Sequence, residues 1–545
     1  MSDHSDVRTA ATSDTAVDFD AIIVGAGFAG IRTLYELRER GLTALVIEAA
    51  SDIGGTWFWN RYPGARTDSE AWVYAYCFSK DLMNEWNWSE RYPSQPEVER
   101  YLRLVVDKFD MRKDMMLNTH IESAVFDEGS ETWVVSIEGG AQIRSRFIVT
   151  GLGHLSKPYR PPFPSLESFR GEWYQTSRYP SEGVDFTGKR VAVIGTGATG
   201  VQLTPLVAET AAHVTVFQRT PNWVLPARNH PLDDAAWREI RADYDGIWQK
   251  VFSQNFALPY GSAHRVAADV SAQEQQAILE HGYEIGHFQF LFETFDDILT
   301  DETTNELVCD FLRSKIRETV KDPATAEILC PKYPLLAKRP PLGHFYYEAF
   351  NRDNVSLVDV SDNPLVDVTE GGLRTADAEY EADIIVFATG FDAVTGAYLT
   401  LDIVGRDGVH LHDKWKDGPR TNLGEMVDGF PNLFLASGPH QPFANIPAVI
   451  DRSVRWIGRA ITQLLEDKQT IIEADVDAVD KWTDLMPELL ARTIFAKGMG
   501  VHAWHLGSNI PGKPVVVMAY HGGANNYFAA LDDEAEAGFP GFIRR

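Results

Sequence analysis

An α/β fold with two similar strand–turn–helix units is predicted for this 545-residue chain by three observations. The glycine pattern G-x-G-x-x-G occurs at residues 25–30 and again at residues 195–200. Each copy follows an apolar run typical of a buried strand and precedes apolar residues at helical spacing. Residues 229–332 instead show helical periodicity rich in Glu, Gln, Asp and Ala. We therefore predict two Rossmann-like dinucleotide-binding domains with a helical insertion.

The first unit has an acidic residue at the position that contacts a ribose in such folds. Its second predicted strand, residues 44–47, ends at Glu48. A carboxylate there can accept hydrogen bonds from ribose hydroxyls but would repel a 2′-phosphate, so the unit is expected to bind FAD or NAD, and we favour FAD. The contacts predicted from the turn are Gly25, Gly27, Phe28, Ala29 and Gly30.

The second unit has a basic residue where the first has an acid. Its second predicted strand, residues 214–217, is followed by Gln218, Arg219 and Thr220. Because a guanidinium binds phosphate through a planar fork of donors, Arg219 indicates NADPH instead of NADH. The predicted NADP contacts here are Gly195, Thr196, Gly197, Ala198, Thr199, Gly200, Gln202, Arg219 and Thr220. The alternative for either unit is a tight turn without a ligand.

The charge of the chain limits its partners. Lys and Arg number 50 against 78 Asp and Glu, which gives a formal net charge of -28. Such a surface repels nucleic acid and anionic membranes, so we expect small-molecule partners. An anionic cofactor must then be held by local cations.

Cysteine usage and the N-terminus indicate a cytoplasmic protein without metal. The three cysteines form no C-x-x-C pair, which excludes the dithiol of flavin disulfide reductases and fits a reducing compartment. Neither a C-x-x-C zinc motif nor an H-E-x-x-H spacing occurs. Residues 1–17 lack the apolar core of a signal peptide and are predicted to be a disordered tail. No apolar run approaches the length of a membrane span.

Two strand-to-glycine segments, residues 143–151 and 383–390, are expected to bracket the second nucleotide domain. The insertion could cover a ligand cleft or simply support the fold. We predict an FAD-binding domain at residues 1–153 and 390–545, an NADP-binding domain at 154–228 and 333–389, and the helical insertion at 229–332.

Five segments of the chain resemble the flavin-dependent Baeyer-Villiger monooxygenases, or class B flavoprotein monooxygenases. The first is an aromatic, glycine-rich loop that suits a flat ring system but could also pack on its own tryptophans. The segments are GGTWFWNRYPGAR at 54–66 with Asp68, FRGEWYQTSRYP at 169–180, Lys338-Arg339 before YYEAFNR at 346–352, ATGFD at 388–392 and WHLGSNIPGKP at 504–514.

The resemblance implies an NADPH- and O2-dependent enzyme that converts ketones to esters or lactones through a C4a-peroxyflavin. It assigns stabilisation of that species to Arg339 and the orientation of Arg339 to Asp68, although the two could form only a structural salt bridge. Lys338 would be a second contact to the NADP phosphate, and Trp504 would stack on NADP or pack under its own loop.

The resemblance also implies further cofactor and substrate contacts. FAD would contact Gly55, Thr56, Trp57 and Asp68, NADP would contact Arg339, and the substrate side would include Pro442 and Phe443.

One segment departs from the family. Of the family pattern F-x-G-x-x-x-H-x-x-x-W-P, this chain keeps Phe169, Gly171 and Pro180 but has Gln175 for the histidine and Tyr179 for the tryptophan. Gln175 keeps a donor and an acceptor but cannot take up a proton near neutral pH, so domain coupling or cofactor positioning could differ.

Two alternative functions stay open from the sequence. Related flavin monooxygenases that oxidise nitrogen or sulfur end the linker pattern in an aromatic other than Trp, as Tyr179 does here. A flavoprotein NADPH oxidase or sensor without organic turnover is the other.

Overall fold

A computed structural model describes residues 16–545, so the predicted tail over residues 1–17 lies outside the described residues except for its last two positions. Within that range, no helix combines the length and the apolar character needed to cross a membrane.

The strands of the first half are β1 (Phe19–Val24), β2 (Ala44–Ile47), β3 (Met115–Met116), β4 (Ile121–Asp127), β5 (Thr132–Ile137), β6 (Gln142–Thr150), β7 (Lys157–Pro158), β8 (Glu172–Gln175), β9 (Arg190–Ile194), β10 (His213–Gln218) and β11 (Leu225–Pro226). Those of the second half are β12 (Leu342–Gly343), β13 (Val355–Asp359), β14 (Leu365–Thr369), β15 (Gly372–Thr375), β16 (Glu379–Glu381), β17 (Ile384–Phe387), β18 (Phe391–Asp392), β19 (Asp402–Val404), β20 (Leu433–Leu435), β21 (Ile472–Ala474) and β22 (Phe542–Arg544).

The helices before the second glycine turn are α1 (Phe28–Glu39), α2 (Thr56–Trp59), α3 (Lys80–Glu85) and α4 (Gln95–Lys108). The second unit and the insertion contribute α5 (Ala198–Thr210), α6 (Asp234–Ala242), α7 (Tyr244–Ser253), α8 (Ala272–Ile285), α9 (Gln289–Glu293), α10 (Glu302–Thr319) and α11 (Pro323–Leu329). The remaining helices are α12 (Tyr346–Ala349), α13 (Leu411–Lys414), α14 (Ile446–Glu466), α15 (Val476–Ala491) and α16 (Ala524–Glu536).

The first sheet is built around β1, the strand that leads into the first glycine turn. Its order is β19-β4-β5-β6-β1-β2-β3, and β20 also pairs with β6. Strands β1, β2, β6 and β20 run parallel, whereas β4 and β5 form an antiparallel meander with β6. The chain therefore returns to this sheet after leaving it.

The second sheet has the order β13-β10-β9-β17-β8, and its strands are all parallel. Its β9 leads into the second glycine turn and α5, as predicted. These two sheets confirm the predicted α/β class with two Rossmann-like units. The domain boundaries stay a prediction, which the strand memberships support.

The family-like segment at 169–180 contains a strand of the second sheet. Its residues Glu172–Gln175 form β8, which pairs in parallel with β17 at the sheet edge, and Gln175 lies opposite Phe387. The segment is thus fixed to the second sheet by a strand ladder.

The predicted helical insertion divides into two parts in its packing. Trp237 of α6 and Trp248 of α7 belong to the hydrophobic core beside the first sheet. The indole N–H of Trp237 donates to the carbonyl of Trp88 at 3.0 Å. Helices α8 to α10 supply Leu279, Phe290 and other side chains mainly to a separate core, whereas Ala326 and Leu329 of α11 pack in the core of the second unit. The insertion therefore connects the two nucleotide units.

A buried ion pair joins α1 to α14 behind the first glycine turn. Arg32 Nε lies 2.9 Å from Asp451 Oδ1, and the side chains are only 2% and 3% exposed. Glu36 also contacts Arg32 at 2.9 Å. Because water cannot solvate either charge, each depends on its partner.

We predict that Asp451→Ala destabilises the protein by about 3 kcal/mol or more, because it leaves the Arg32 charge buried with an incomplete partner set. Urea unfolding followed by tryptophan fluorescence measures the change. The matched control is Asp245→Ala, which breaks the exposed Lys80–Asp245 pair and should cost about 1 kcal/mol or less. Equal unfolding midpoints for the two variants would contradict the assigned importance of the buried pair.

Candidate active site

A cavity of about 1300 Å³ lies where the two glycine turns face each other. Both nucleotide units, the helical insertion and the segment after α15 contribute to its walls. The predicted site residues that line it are Gly27, Phe28, Ala29, Gly55, Thr56, Trp57, Asp68, Gly195, Thr196, Gly197, Ala198, Thr199, Gln202, Arg219, Thr220, Lys338, Arg339, Pro442, Phe443 and Trp504.

The third glycine of each turn permits close packing of the turn. A Cβ on Gly30 would lie 1.8 Å from the Gly25 carbonyl oxygen, and one on Gly200 would lie 2.1 Å from that of Gly195. These four glycines shape the turns, while Gly27 and Gly197 directly precede α1 and α5 beside the cavity.

Both helix N-termini suit a pyrophosphate group. Neither Gly27 nor Gly197 is accompanied by a side chain that caps the first turn within the described chain. A Cβ on Gly197 would meet no heavy atom within 4 Å, which leaves open space above α5. Free N–H groups and the helix dipole favour an anion at such a position. The residues present thus fit the two predicted dinucleotides.

Glu48 lies behind the first turn instead of in the cavity wall. Its carboxylate accepts the backbone N–H of Ala26 at 2.7 Å and that of Ala50 at 2.8 Å. A carboxylate has further acceptor positions, so the predicted ribose contact stays a prediction.

Arg219 and Lys338 form a cationic pair at the second unit. Neither side chain has a salt-bridge partner among residues 16–545. Burial and the Arg219 guanidinium lower the pKa of Lys338 to about 8. Two cations that repel each other without a carboxylate partner are a suitable site for a phosphate dianion.

Arg339 and Asp68 form an ion pair in the wall of the cavity. Arg339 Nη2 lies 2.8 Å from Asp68 Oδ2, with side-chain exposures of 32% and 4%. Burial raises the pKa of Asp68, and the Arg339 charge opposes that rise. The Arg339 guanidinium also lies 6.0 Å from the Phe288 ring of the insertion. Asp68 thus holds one edge of a guanidinium whose remaining donors stay open to the cavity.

Gln202 connects the two units directly. It accepts a hydrogen bond from the Tyr62 hydroxyl at 2.8 Å and donates to the Arg66 carbonyl at 3.2 Å. Tyr62 and Arg66 belong to the aromatic loop of the first unit, which α2 also occupies. Gln202 therefore holds that loop against α5, a role that its prediction as an NADP contact did not include.

The C-terminal contributions to the cavity form an aromatic cluster. The ring centroids of Phe443 and Trp504 are 5.2 Å apart, and Phe495 lies 5.5 Å from Phe443. Trp504 thus packs on Phe443 and also faces the cavity. Both interpretations of Trp504 from the sequence stay compatible with this position.

The predicted residues of segment 169–180, which differs from the family pattern, lie outside the cavity wall. Phe169 packs in the core beside β17, and Tyr179 packs with Tyr62 of the aromatic loop. A Cβ on Gly171 would lie 2.3 Å from the Asp383 carbonyl oxygen. Gln175 and Pro180 flank these contacts. Their placement indicates a role in domain contact.

The sequence missed the cavity residues of the insertion. Five apolar side chains of the insertion line the cavity: Leu258, Phe288, Leu291, Phe292 and Phe295. The run Phe288-Gln289-Phe290-Leu291-Phe292 is the signal in the sequence that sets this part of the insertion apart from its polar surroundings.

A surface grouping outside the cavity brings together Asp402, His410 and His412, whose donor atoms lie within 4.8 Å of one another. His410 Nδ1 already lies 2.6 Å from Asp402. This grouping is not evident from the spacing motifs that led us to expect no metal, and we assign no metal to it.

Comparison with known proteins identifies the family. The family model described as flavin-binding monooxygenase-like matches residues 20–233. A Baeyer-Villiger monooxygenase of Pseudooceanicola batsensis is 41% identical over 99% of this chain and 98% of its own. A phenazine N-monooxygenase of Lysobacter antibioticus is 42% identical over 96% and 97%.

A solved structure has the same architecture over almost the whole chain. The crystal structure of OTEMO in complex with FAD and NADP has a TM-score of 0.93 and 39% identity, and it covers 97% of this chain and 100% of that chain. Identity at this level over nearly the full length shows that the chain belongs to the flavin-dependent Baeyer-Villiger monooxygenase family.

Proposed function

We propose that the chain uses FAD, NADPH and O2 to convert ketones with an apolar body to esters or lactones, with Arg339 at the reacting centre. The observation that carries this proposal is the Asp68–Arg339 pair in a cavity bordered by both glycine turns. Bound FAD, once reduced by NADPH, would supply the activated oxygen.

Arg339 would stabilise negative charge at the flavin and on the substrate oxygen. A guanidinium keeps its charge over the working pH range and offers several donors in one plane. Asp68 occupies one edge of that plane, so it fixes the direction of the remaining donors. Such a fixed charge stabilises a developing anion without having to reorganise.

The other side chains would hold the cofactors and the body of the ketone. The first turns of α1 and α5 would bind the two pyrophosphates, and Arg219 with Lys338 would bind the NADP 2′-phosphate. Leu258, Leu291 and Phe292 of the insertion would exclude water from the substrate side.

A second candidate is oxidation of a nitrogen or sulfur centre. The identity with a phenazine N-monooxygenase favours it, and so does Tyr179 at the end of the linker pattern. Electrophilic oxygen transfer to a heteroatom does not require a cation that stabilises an oxyanion. The paired Arg339 therefore supports the ketone reaction.

We expect Arg339→Ala to bind FAD and to undergo flavin reduction by NADPH, but to form ester about 100-fold more slowly or worse, because the oxyanion loses its fixed cation. Stopped-flow absorbance measures reduction, and product mass measures oxygen insertion.

Arg339→Lys is the matched control, since it keeps the charge but loses the planar fork, and it should fall between wild type and the alanine variant. Ester formation by Arg339→Ala at the wild-type rate would remove Arg339 from the reacting centre.

Arg219→Ala should lower kcat/KM for NADPH by about 10- to 100-fold and leave that for NADH nearly unchanged, because only NADPH has a 2′-phosphate. Since the pKa of Lys338 is lowered to about 8 by burial and Arg219, NADPH affinity should fall above that pH. Removing Arg219 should shift this midpoint upward.

Steady-state kinetics across pH test both effects. Arg317→Ala is the control, because Arg317 pairs with Glu327 on the surface of the insertion. If the Arg219 variant lost activity with NADH and NADPH equally, the phosphate assignment would be wrong.

A competition assay separates the candidate activities. With NADPH, O2 and an equimolar mixture of an apolar cyclic ketone, a thioether and phenazine, we expect the lactone as the main product because Arg339 favours the nucleophilic reaction. Mass spectrometry measures the products. An N-oxide or sulfoxide without lactone would support the second candidate, and hydrogen peroxide alone would support a flavoprotein without organic turnover.

A further inference from the structure

Glu425 is a buried acid behind the substrate side of the cavity. Its residue exposure is 0%, and within residues 16–545 no cation forms a salt bridge with it. Its carboxyl group instead accepts hydrogen bonds from Tyr527 Oη at 2.7 Å, Ser453 Oγ at 2.8 Å and Gln441 Nε2 at 3.2 Å. A buried carboxyl without a cation is costly unless such donors surround it.

Gln441 links this polar group to the cavity wall. Besides Glu425, its Nε2 donates to the carbonyls of Leu435 at 2.8 Å and Gly424 at 3.2 Å. A Cβ on Gly424 would lie 2.8 Å from Gln441 Cγ, so the side chain is tightly enclosed. The next residues, Pro442 and Phe443, line the cavity.

The backbone of residues 437–445, the segment that includes Pro442 and Phe443, needs this support. His440 has a φ of +64°, a left-handed conformation that is unfavourable for a residue with a Cβ. Its Nδ1 lies 3.0 Å from the Thr421 hydroxyl, in the same turn that carries Glu425. His440 and Gln441 therefore fasten one side of the segment, while Phe443 faces the other.

We propose that Glu425 is a positioning residue that acts through Gln441 to fix residues 437–445, and so sets which ketones fit against Phe443. This inference rests on the proposed function, because it takes the cavity beside Phe443 as the ketone site. The aromatic contacts of Phe443 with Phe495 and Trp504 extend the effect to the loop after α15.

Because Glu425 can change its protonation state, its role can be tested by varying the pH. Burial raises the pKa of Glu425 to about 8. Burial raises the pKa of the neighbouring Tyr398 and Tyr527 hydroxyls further above 10 and lowers that of His440 to about 4. Arg420, which also acts on His440, pairs with Asp480. Near pH 8 the group in this network that changes charge is Glu425.

The neutral acid is the form that the apolar surroundings favour, so ionisation should loosen the segment. A folded-state pKa above the unfolded value means that the contribution of Glu425 to stability is present at low pH. It is lost as the pH rises through about 8. We therefore expect the KM for a bulky ketone to rise between roughly pH 7 and pH 9.

Two substitutions test the proposal with 2-decalone as the bulky ketone and acetone as the small one. Glu425→Leu removes the acceptor that Tyr527, Ser453 and Gln441 share, so the segment loses this anchor and the KM for 2-decalone should rise by about tenfold. The KM for acetone and flavin reduction by NADPH without ketone should change by less than about twofold. Glu425→Gln resembles the neutral acid, so it should retain the wild-type KM at pH 7 and lose the rise toward pH 9.

Glu97→Gln is the matched control. Glu97 is also buried, accepts from the backbone N–H and hydroxyl of Ser89, and lies outside the cavity wall. It should change neither the ketone preference nor its pH dependence.

An unchanged ratio of the two KM values in Glu425→Leu, or the same rise toward pH 9 in Glu425→Gln and wild type, would overturn the positioning role. If Glu425→Leu does not fold, the pH profile of Glu425→Gln still decides. Wild-type protein that oxidises neither ketone would instead contradict the proposed function.

Discussion

The ion pair between Asp68 and Arg339 is the interaction on which the arrangement of the cavity depends. It joins a loop of the first unit to the segment that follows the insertion, so it can form only when both units are in place. Asp68 is almost fully buried and Arg339 is partly open. The carboxylate therefore fixes the orientation of the guanidinium without occupying all of its N–H donors. A charge held in this way is oriented before any substrate arrives.

The net charge of -28 makes local cations more important. Arg219 and Lys338 concentrate positive charge at the second unit, and Arg339 adds positive charge to the cavity wall beside Asp68. Arg219 and Lys338 repel each other when no anion lies between them. This repulsion should make an anionic cofactor bind more tightly. Gln202 and Tyr62 then keep the units close enough for the two cofactor sites to share one cavity.

The sequence predicted those features of the fold and the site that depend on short stretches of neighbouring residues. The glycine turns, Arg219 and the pairing of Asp68 with Arg339 follow from strand and loop patterns or from the family resemblance. The cavity residues of the insertion depend on how α8 to α10 pack against the second unit, which periodicity does not determine. No motif in the sequence singles out Glu425, and its contacts with Ser453 of α14 and Tyr527 of α16 depend on how these helices pack.

A crystal structure of the enzyme with FAD and NADP+ tests the role of the Asp68–Arg339 ion pair most directly. We expect the flavin ring to lie against the open donors of Arg339, with the Asp68 ion pair intact and the nicotinamide beside it. A flavin ring out of contact with Arg339, or an Arg339 that has left Asp68 and points away from both cofactors, would contradict a role of Arg339 at the reacting centre.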